Sequence, residues 1–324
     1  MLPSSLLQST KGLGSDCHRR LLRPPTGAGR ASSPKKPHPL GYAFRTNSRG
    51  GPKLSNKQVI LITGASSGIG RELARLLAGQ GYILYVNARR GDELQALVDE
   101  FPEQKIVPLK GDLTDREFRA TLIDTVIEAE ARLDILINNA GFGNIGSLDD
   151  LEVDRIRNMI ELNVIALIEL TKDAVEVMKK QGSGRILNVS SLVGFLTLPY
   201  NAVYTASKHA VNGFTETLRY ELKGTGVTAS AINPGTVDTE FGVQALGQNL
   251  PKSLRGASPQ SIAKSIVRQL HKNRRWLFPS IDAHLLYWAF RWVPCLLHLA
   301  FATVGRKVMK KMITDAKASP KELT

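Results

Sequence analysis

The chain has 324 residues, 42% hydrophobic and 22% charged, with a formal net charge of +14. Its two cysteines, Cys17 and Cys295, exclude a disulfide framework and suit a reducing compartment, and its six histidines show no metal-ligand spacing. The basicity sits at the ends: residues 1–53 hold ten Lys/Arg against Asp16, residues 252–311 hold twelve against Asp282, and residues 54–251 hold nineteen against twenty-five acids. With no recognised binding motif beside these cations, nucleic acid is excluded as a partner.

In chain order, residues 1–53 are rich in Ser, Arg, Pro and Gly and lack a long apolar run. They read as a disordered basic tail or an organelle transit peptide, not a secretory signal. An apolar strand-length run at 58–62 leads into Thr63-Gly64-Ala65-Ser66-Ser67-Gly68-Ile69-Gly70, and helical spacing follows over 70–79. Strand, glycine turn and helix together present backbone N–H groups and a helix dipole to a pyrophosphate. A strand at 83–86 runs on into Asn87-Ala88-Arg89-Arg90, then a helix at 91–101 and a strand at 105–109. Gly111-Asp112-Leu113 precede a helix at 115–130, and a strand at 133–137 runs into Asn138-Asn139-Ala140-Gly141.

One long helix is expected over 152–180, carrying Asn163, followed by a buried strand at 185–189 that leads through Ser190 to Ser191. Segment 192–200 lies between that serine and a helix over 202–222, on which Tyr204 and Lys208 stand one turn apart on one face. An ammonium near a phenol stabilises the phenolate, so Lys208 is expected to lower the pKa of Tyr204. A strand at 227–232 leads to Pro234-Gly235, a lid over 236–258 with Phe241 and Leu246, a helix at 259–271 and a strand at 275–279. The alternation predicts an α/β fold: a Rossmann-type, doubly wound parallel sheet in a single domain, 54–280, with N- and C-terminal extensions. The extension at 281–324 is dense in Leu, Trp and Phe and ends in Arg306, Lys307, Lys310 and Lys311. It reads either as an amphipathic membrane-surface segment or as a cover for a pocket or subunit interface.

These motifs, over roughly 57–279, resemble the classical short-chain dehydrogenase/reductase family. The resemblance implies Ser191, Tyr204, Lys208 and Asn163 as catalytic residues. It implies cofactor contacts from Gly64, Ser66, Ser67, Gly68, Ile69, Gly70, Asp112, Leu113, Asn139, Ala140, Gly141, Tyr204, Lys208, Pro234, Gly235, Val237 and Thr239. In that scheme Tyr204 exchanges the proton, Ser191 polarises the substrate oxygen, Lys208 hydrogen-bonds the nicotinamide ribose, and Asn163, through carbonyl and side chain, holds a water leading from Lys208 to solvent. The Asn138–Gly141 element serves the sheet first and the cofactor second, and Ser190 is read as only a strand residue.

Ala88 stands where an aspartate would favour NAD, and Arg89 follows, so NADP(H) is expected, with Arg89 as the main 2′-phosphate contact and Arg90 as the second. The implied activity interconverts a carbonyl and an alcohol on a lipophilic, steroid-, retinoid- or fatty-acyl-like substrate, with reduction as the cellular direction. Homodimer or homotetramer formation through the helices near 152–180 and 202–222 goes with the family. The rival readings are a non-catalytic NADP-binding regulator or membrane-surface scaffold, and an epimerase- or dehydratase-type member. The location read is cytoplasmic, with peripheral membrane contact through 281–311, or organellar if 1–53 is a transit peptide.

Overall fold

Val, Ile and Leu dominate the short runs that become strands, and the central runs are buried on both sides because helices cover both faces of the sheet. The computed structural model describes residues 57–246 and 256–318; the tail at 1–53 and the lid residues 247–255 lie outside the described residues. The strands are β1 (Val59–Thr63), β2 (Ile83–Ala88), β3 (Ile106–Lys110), β4 (Ile135–Asn138), β5 (Gly184–Val189), β6 (Val227–Ile232) and β7 (Trp276–Leu277). They form one parallel sheet in the order β3-β2-β1-β4-β5-β6-β7. Chain order reverses between β1 and β4, which opens a crevice at the carboxyl ends of those strands.

Alternate strand residues feed opposite layers, as the two-residue side-chain period requires. Ile60 and Ile62 pack with α1 (Gly68–Ala78), α2 (Gly91–Glu100) and α8 (Pro259–Val267). Val59 and Leu61 pack with α3 (Arg116–Glu130), α5 (Leu167–Gln181) and α6 (Ala202–Glu221). Asp115 caps α3, its carboxylate accepting from the N–H groups of Glu117 and Phe118.

The helix expected over 152–180 is present over 153–181 but carries a wide turn in its middle. It consists of α4 (Val153–Ile160), a wide π turn at Glu161–Ala166, and α5. Two anchors hold that turn open. The Asn163 amide donates to the Phe142 carbonyl (2.9 Å) and accepts from the Phe142 N–H (3.0 Å). Arg119, only 2% exposed, pairs with Glu161 (2.9 Å) and Glu169 (2.6 Å) on either arm of the turn. Single wide turns of this kind recur at functional sites.

Two other elements are shorter than expected. The strand at 275–279 contracts to Trp276–Leu277, because Phe278 turns onto Phe195 and Tyr287 and Pro279 has no N–H to donate. The helix at 259–271 closes at Val267, where Gln269 and Leu270 donate three residues back. Within the expected lid, Glu240–Leu246 forms a short helix, α7. Beyond β7 the chain folds into α9 (Ile281–Trp292), α10 (Pro294–Ala300), a wide turn at Phe301–Gly305, and α11 (Arg306–Ala318). Ala283, Leu286, Tyr287 and Phe290 of α9 pack on Leu192, Val193, Leu196, Leu198 and Tyr204, so the extension's first helix builds onto the segment between β5 and α6 and onto α6 itself.

Candidate active site

The glycine turn closes the carboxyl end of β1 around a space that side chains would fill. A methyl group at Gly64 would lie 2.8 Å from the Ala140 Cα, and one at Gly70 would lie 2.2 Å from the Gly64 carbonyl oxygen. Gly64 and Gly68 also adopt φ of +67° and +56°, a region glycine enters without strain. Ser67 is the N-cap of α1 but makes no side-chain cap bond, so first-turn N–H groups stay available to an anion. This cradle fits a dinucleotide pyrophosphate, with Ser66, Ser67, Gly68, Ile69 and Gly70 around it. Thr239 stands against Gly68, its Cγ2 3.2 Å from a methyl group placed there.

The next strand end buttresses the turn. Asn139 donates from its amide to the carbonyls of Thr63 and Gly64 (both 3.0 Å), and the Thr63 hydroxyl accepts from the N–H groups of Asn139 and Ala140. Beneath it a buried polar ladder links the helices under the sheet: Asn138 to Thr171 (2.9 Å) and Asn188 (3.0 Å), and Asn188 to Thr215 (2.9 Å). Gly141 lies between the two arms of the site, since a methyl group there would be 2.9 Å from the Asn163 Oδ1 and 3.6 Å from the Lys208 Nζ. Past the end of β3 the Asp112 carboxylate accepts from the N–H and hydroxyl of Thr114 (both 2.9 Å), and the Leu113 carbonyl accepts from Arg119.

Ser191, Tyr204 and Lys208 converge at the end of β5. The Ser191 hydroxyl lies within reach of the Tyr204 hydroxyl and favours its ionised form. Lys208 is buried; its Nζ lies 5.6 Å from the centre of the Tyr204 ring and donates to the Val189 carbonyl (2.9 Å). Ser190 is more than a strand residue, because its hydroxyl donates to the Lys208 carbonyl (3.1 Å) and ties α6 to the sheet. Asn163 reaches α6 as well, donating to the Ser207 hydroxyl (3.1 Å). Pro234 accepts from the Leu192 N–H (2.9 Å), Val237 bridges to Ala257, and a methyl group at Gly235 would lie 3.0 Å from the Asp282 Oδ2.

A family profile described as short chain dehydrogenase matches residues 58–249. The chain is a short-chain dehydrogenase/reductase. It is 30% identical over 251 residues to dehydrogenase/reductase SDR family member 7B of Xenopus tropicalis, covering 73% of this chain and 81% of the relative. It is 35% identical over 210 residues to human dehydrogenase/reductase SDR family member 7, covering 63% and 62%. Among solved structures, a short-chain dehydrogenase from Sphingobium yanoikuyae in complex with NADPH superposes with a TM-score of 0.65 at 28% identity, covering 74% of this chain and 95% of that one. An alcohol dehydrogenase from Thermococcus sibiricus complexed with 5-hydroxy-NADP superposes at 0.62 with 30% identity, covering 68% and 94%. This short-chain dehydrogenase/reductase is therefore an oxidoreductase that uses a nicotinamide cofactor.

The electrostatics of the dehydrogenase/reductase correct one expectation. The pKa of Tyr204 is pushed up, not down: burial disfavours the phenolate, and the hydrogen bond from Ser191 offsets this only in part. Lys208 lies beside the ring face and directs its ammonium at the Val189 carbonyl. The same burial lowers Lys208 to about 8. A buried ammonium is thus a standing cost to the fold. The sign follows from linkage: the penalty is full below pH 8 and fades as pH rises toward the unfolded value near 10.5, because in that window the unfolded chain binds the extra proton. Lys208→Met is accordingly expected to be inactive yet to melt a few degrees higher at pH 7, with the gap narrowing by pH 10, as differential scanning calorimetry would show.

Two features of the dehydrogenase/reductase site carry no readable sequence signal. Arg155 looks like a surface helix cation, yet it donates to the Asn144 side chain (3.1 Å) and the Gln244 carbonyl (3.3 Å), clamping the loop after β4 to α7. Glu240, at the start of α7, pairs with Arg90 (3.0 Å), which also donates to the Ser66 hydroxyl (3.3 Å). Arg89 instead faces Asp112 at 3.7 Å. Of the two arginines, Arg90 is the one joined to the glycine turn. Phe241, named above as a lid residue, lies with its ring centre 5.4 Å from that of Tyr204.

Proposed function

We propose that this enzyme reduces a lipophilic ketone or aldehyde, steroid-, retinoid- or fatty-acyl-like, with NADPH, NADH being the poorer cofactor. The observation that carries the substrate class is the apolar cluster packed against Tyr204, in which Leu192, Val193, Leu196 and Leu198 meet Leu286, Tyr287 and Phe290 of α9. Such a cluster rewards a hydrocarbon body and offers no cation to a small carboxylate. The bound nicotinamide supplies the hydride. Tyr204, kept protonated by burial, gives its proton to the carbonyl oxygen as charge develops there, and the Ser191 hydroxyl donates a second hydrogen bond to that oxygen. Lys208 orients the ribose. The Asn163 amide is engaged by Phe142 and Ser207, so the water-holding role the family suggests falls to its backbone carbonyl.

Arg90, with Arg89 beside it, takes the 2′-phosphate, since it already reaches Ser66 of the pyrophosphate turn. A hydrogen bond to a charged group is worth about 1.5–3 kcal/mol, or roughly tenfold to a hundredfold in affinity. Arg90→Ala is expected to raise the KM for NADPH by that factor and leave the KM for NADH unchanged; an equal effect on both would remove the assignment. Association into a homodimer or homotetramer through α4–α5 and α6 goes with this reading. So does a cytoplasmic location with peripheral membrane contact through 281–311.

The test is oxidation of NADPH, with NADH in parallel, against a panel of long-chain, steroidal and retinoid carbonyls, with short hydrophilic carbonyls as the contrast. Preference for the hydrophilic compounds would sink the substrate class. The rival reading, a non-catalytic regulator, predicts cofactor binding without turnover, and the intact Ser191, Tyr204 and Lys208 argue against it, since binding alone needs no buried tyrosine donor.

A further inference from the structure

Exposed large hydrophobic side chains are unevenly placed: nine of the thirteen among the described residues lie between 281 and 308. On α9 they are Ile281, Leu285, Trp288 and Trp292, spaced four, three and four apart, so they form one stripe. The opposite face of the same helix is the one packed on Leu192, Leu196 and Tyr204. Leu296 and Leu299 of α10, Val304 of the wide turn and Val308 of α11 are exposed as well. A helix that is apolar on both faces, with one face against the active site, needs a second apolar medium for the other.

Shape and charge select that medium. No single helix among the described residues is long and apolar enough to cross a membrane, and the pair Ile281–Trp292 and Pro294–Asp315 is bent by 113°. The first leg rises only about 18 Å at 1.5 Å per residue, short of the roughly 30 Å hydrocarbon layer. Between 281 and 315 the cations Arg291, Arg306, Lys307, Lys310 and Lys311 face two acids, Asp282 and Asp315. All five are exposed. An anionic lipid surface attracts them, and Trp rings sit well at its headgroup level.

We infer that α9 and α10 seat the enzyme on the face of an anionic phospholipid leaflet, and that α9 forms the wall along which an apolar carbonyl substrate passes from the leaflet to Tyr204. The second half rests on the lipophilic-substrate reading; the first does not. Gly235 adds to the argument, because Asp282 and Ala283 at the start of α9 lie directly against it, 3.0 and 3.5 Å from a methyl group placed there. One helix therefore touches the proposed lipid surface, the substrate wall and the Pro234-Gly235 segment.

The experiment uses the full chain, with vesicles of phosphatidylcholine alone or mixed with phosphatidylglycerol, and the double variant Trp288→Ser/Trp292→Ser. The wild type is expected to float with the anionic vesicles and to be released by high salt. The double variant is expected to lose about tenfold or more of the floated fraction. The variant should match the wild type on a water-soluble ketone, which also shows that it folds, and should lose about tenfold in turnover of a long-chain ketone carried in the vesicles.

Failure of the wild type to float, or equal flotation of the variant, overturns the docking surface. So does a change from dimer to monomer in the variant when the wild type does not float, since the occupant is then a second copy. Flotation with equal turnover of the vesicle-borne ketone by both proteins overturns the route and leaves the docking standing. If the wild type reduces no long-chain ketone in vesicles or detergent, the substrate reading and the route fall together, and flotation still decides the docking.

Discussion

Tyr204→Phe is expected to lower carbonyl reduction by about a thousandfold while cofactor affinity stays within about twofold of the wild type. The phenylalanine ring keeps the contact with Phe241 and the packing under α9, so the pocket keeps its shape. What disappears is the hydroxyl beside Ser191, and with it the proton that the proposed mechanism gives to the carbonyl oxygen. The split between turnover and binding is the informative part. Stopped-flow quenching of protein fluorescence by NADPH gives the binding constant, and single-turnover decay of NADPH gives the rate. A variant that lost both together would show that Tyr204 shapes the cofactor site instead of moving a proton.

The second large effect lies in the cradle. Gly70→Ala places a methyl group 2.2 Å from the Gly64 carbonyl oxygen and 2.5 Å from the Asn139 amide nitrogen. Neither neighbour can yield cheaply, because Gly64 follows directly on β1 and Asn139 is bonded to the carbonyls of Thr63 and Gly64. Overpacking of this kind costs about 1–3 kcal/mol, and here it also moves the N–H groups that face the pyrophosphate. The expected result is a melting temperature several degrees lower and loss of the upward shift that a bound nicotinamide cofactor is expected to give the wild type. If the variant keeps that shift, the turn is not the phosphate cradle.

Much of this was legible in the sequence because the signals were local. The glycine turn, the strand runs and the four-residue spacing of Tyr204 and Lys208 each depend on a few neighbouring residues, and the chain folds them as their periods dictate. Boundaries moved where contacts distant in sequence intervene: β7 ends early because Phe278 finds Phe195 and Tyr287. The wide turn around Asn163 has no local signature, since its causes are Phe142 and a buried Arg119 drawn from another helix. The direction of the Tyr204 shift was likewise hidden: spacing put an ammonium near the phenol, but only the fold shows that Lys208 points at Val189 and that burial dominates. The role of Ser190 as a tether and the pairing of Arg90 with Glu240 are side-chain geometries that no spacing encodes.

The wide turn at Glu161–Ala166 also sets the azimuth of one helix against the other. An α-helix advances about 100° per residue, so the added width resets the phase between α4 and α5. On the near side Met159 is the buried residue; on the far side Leu167, Leu170, Ala174 and Met178 are. Removing one residue inside this window would restore a uniform helix and carry Asn163 away from Phe142 and Ser207. The segment can therefore drift in composition on either flank while its length stays locked, and an alignment of functional relatives should show gaps almost anywhere before one within 161–166.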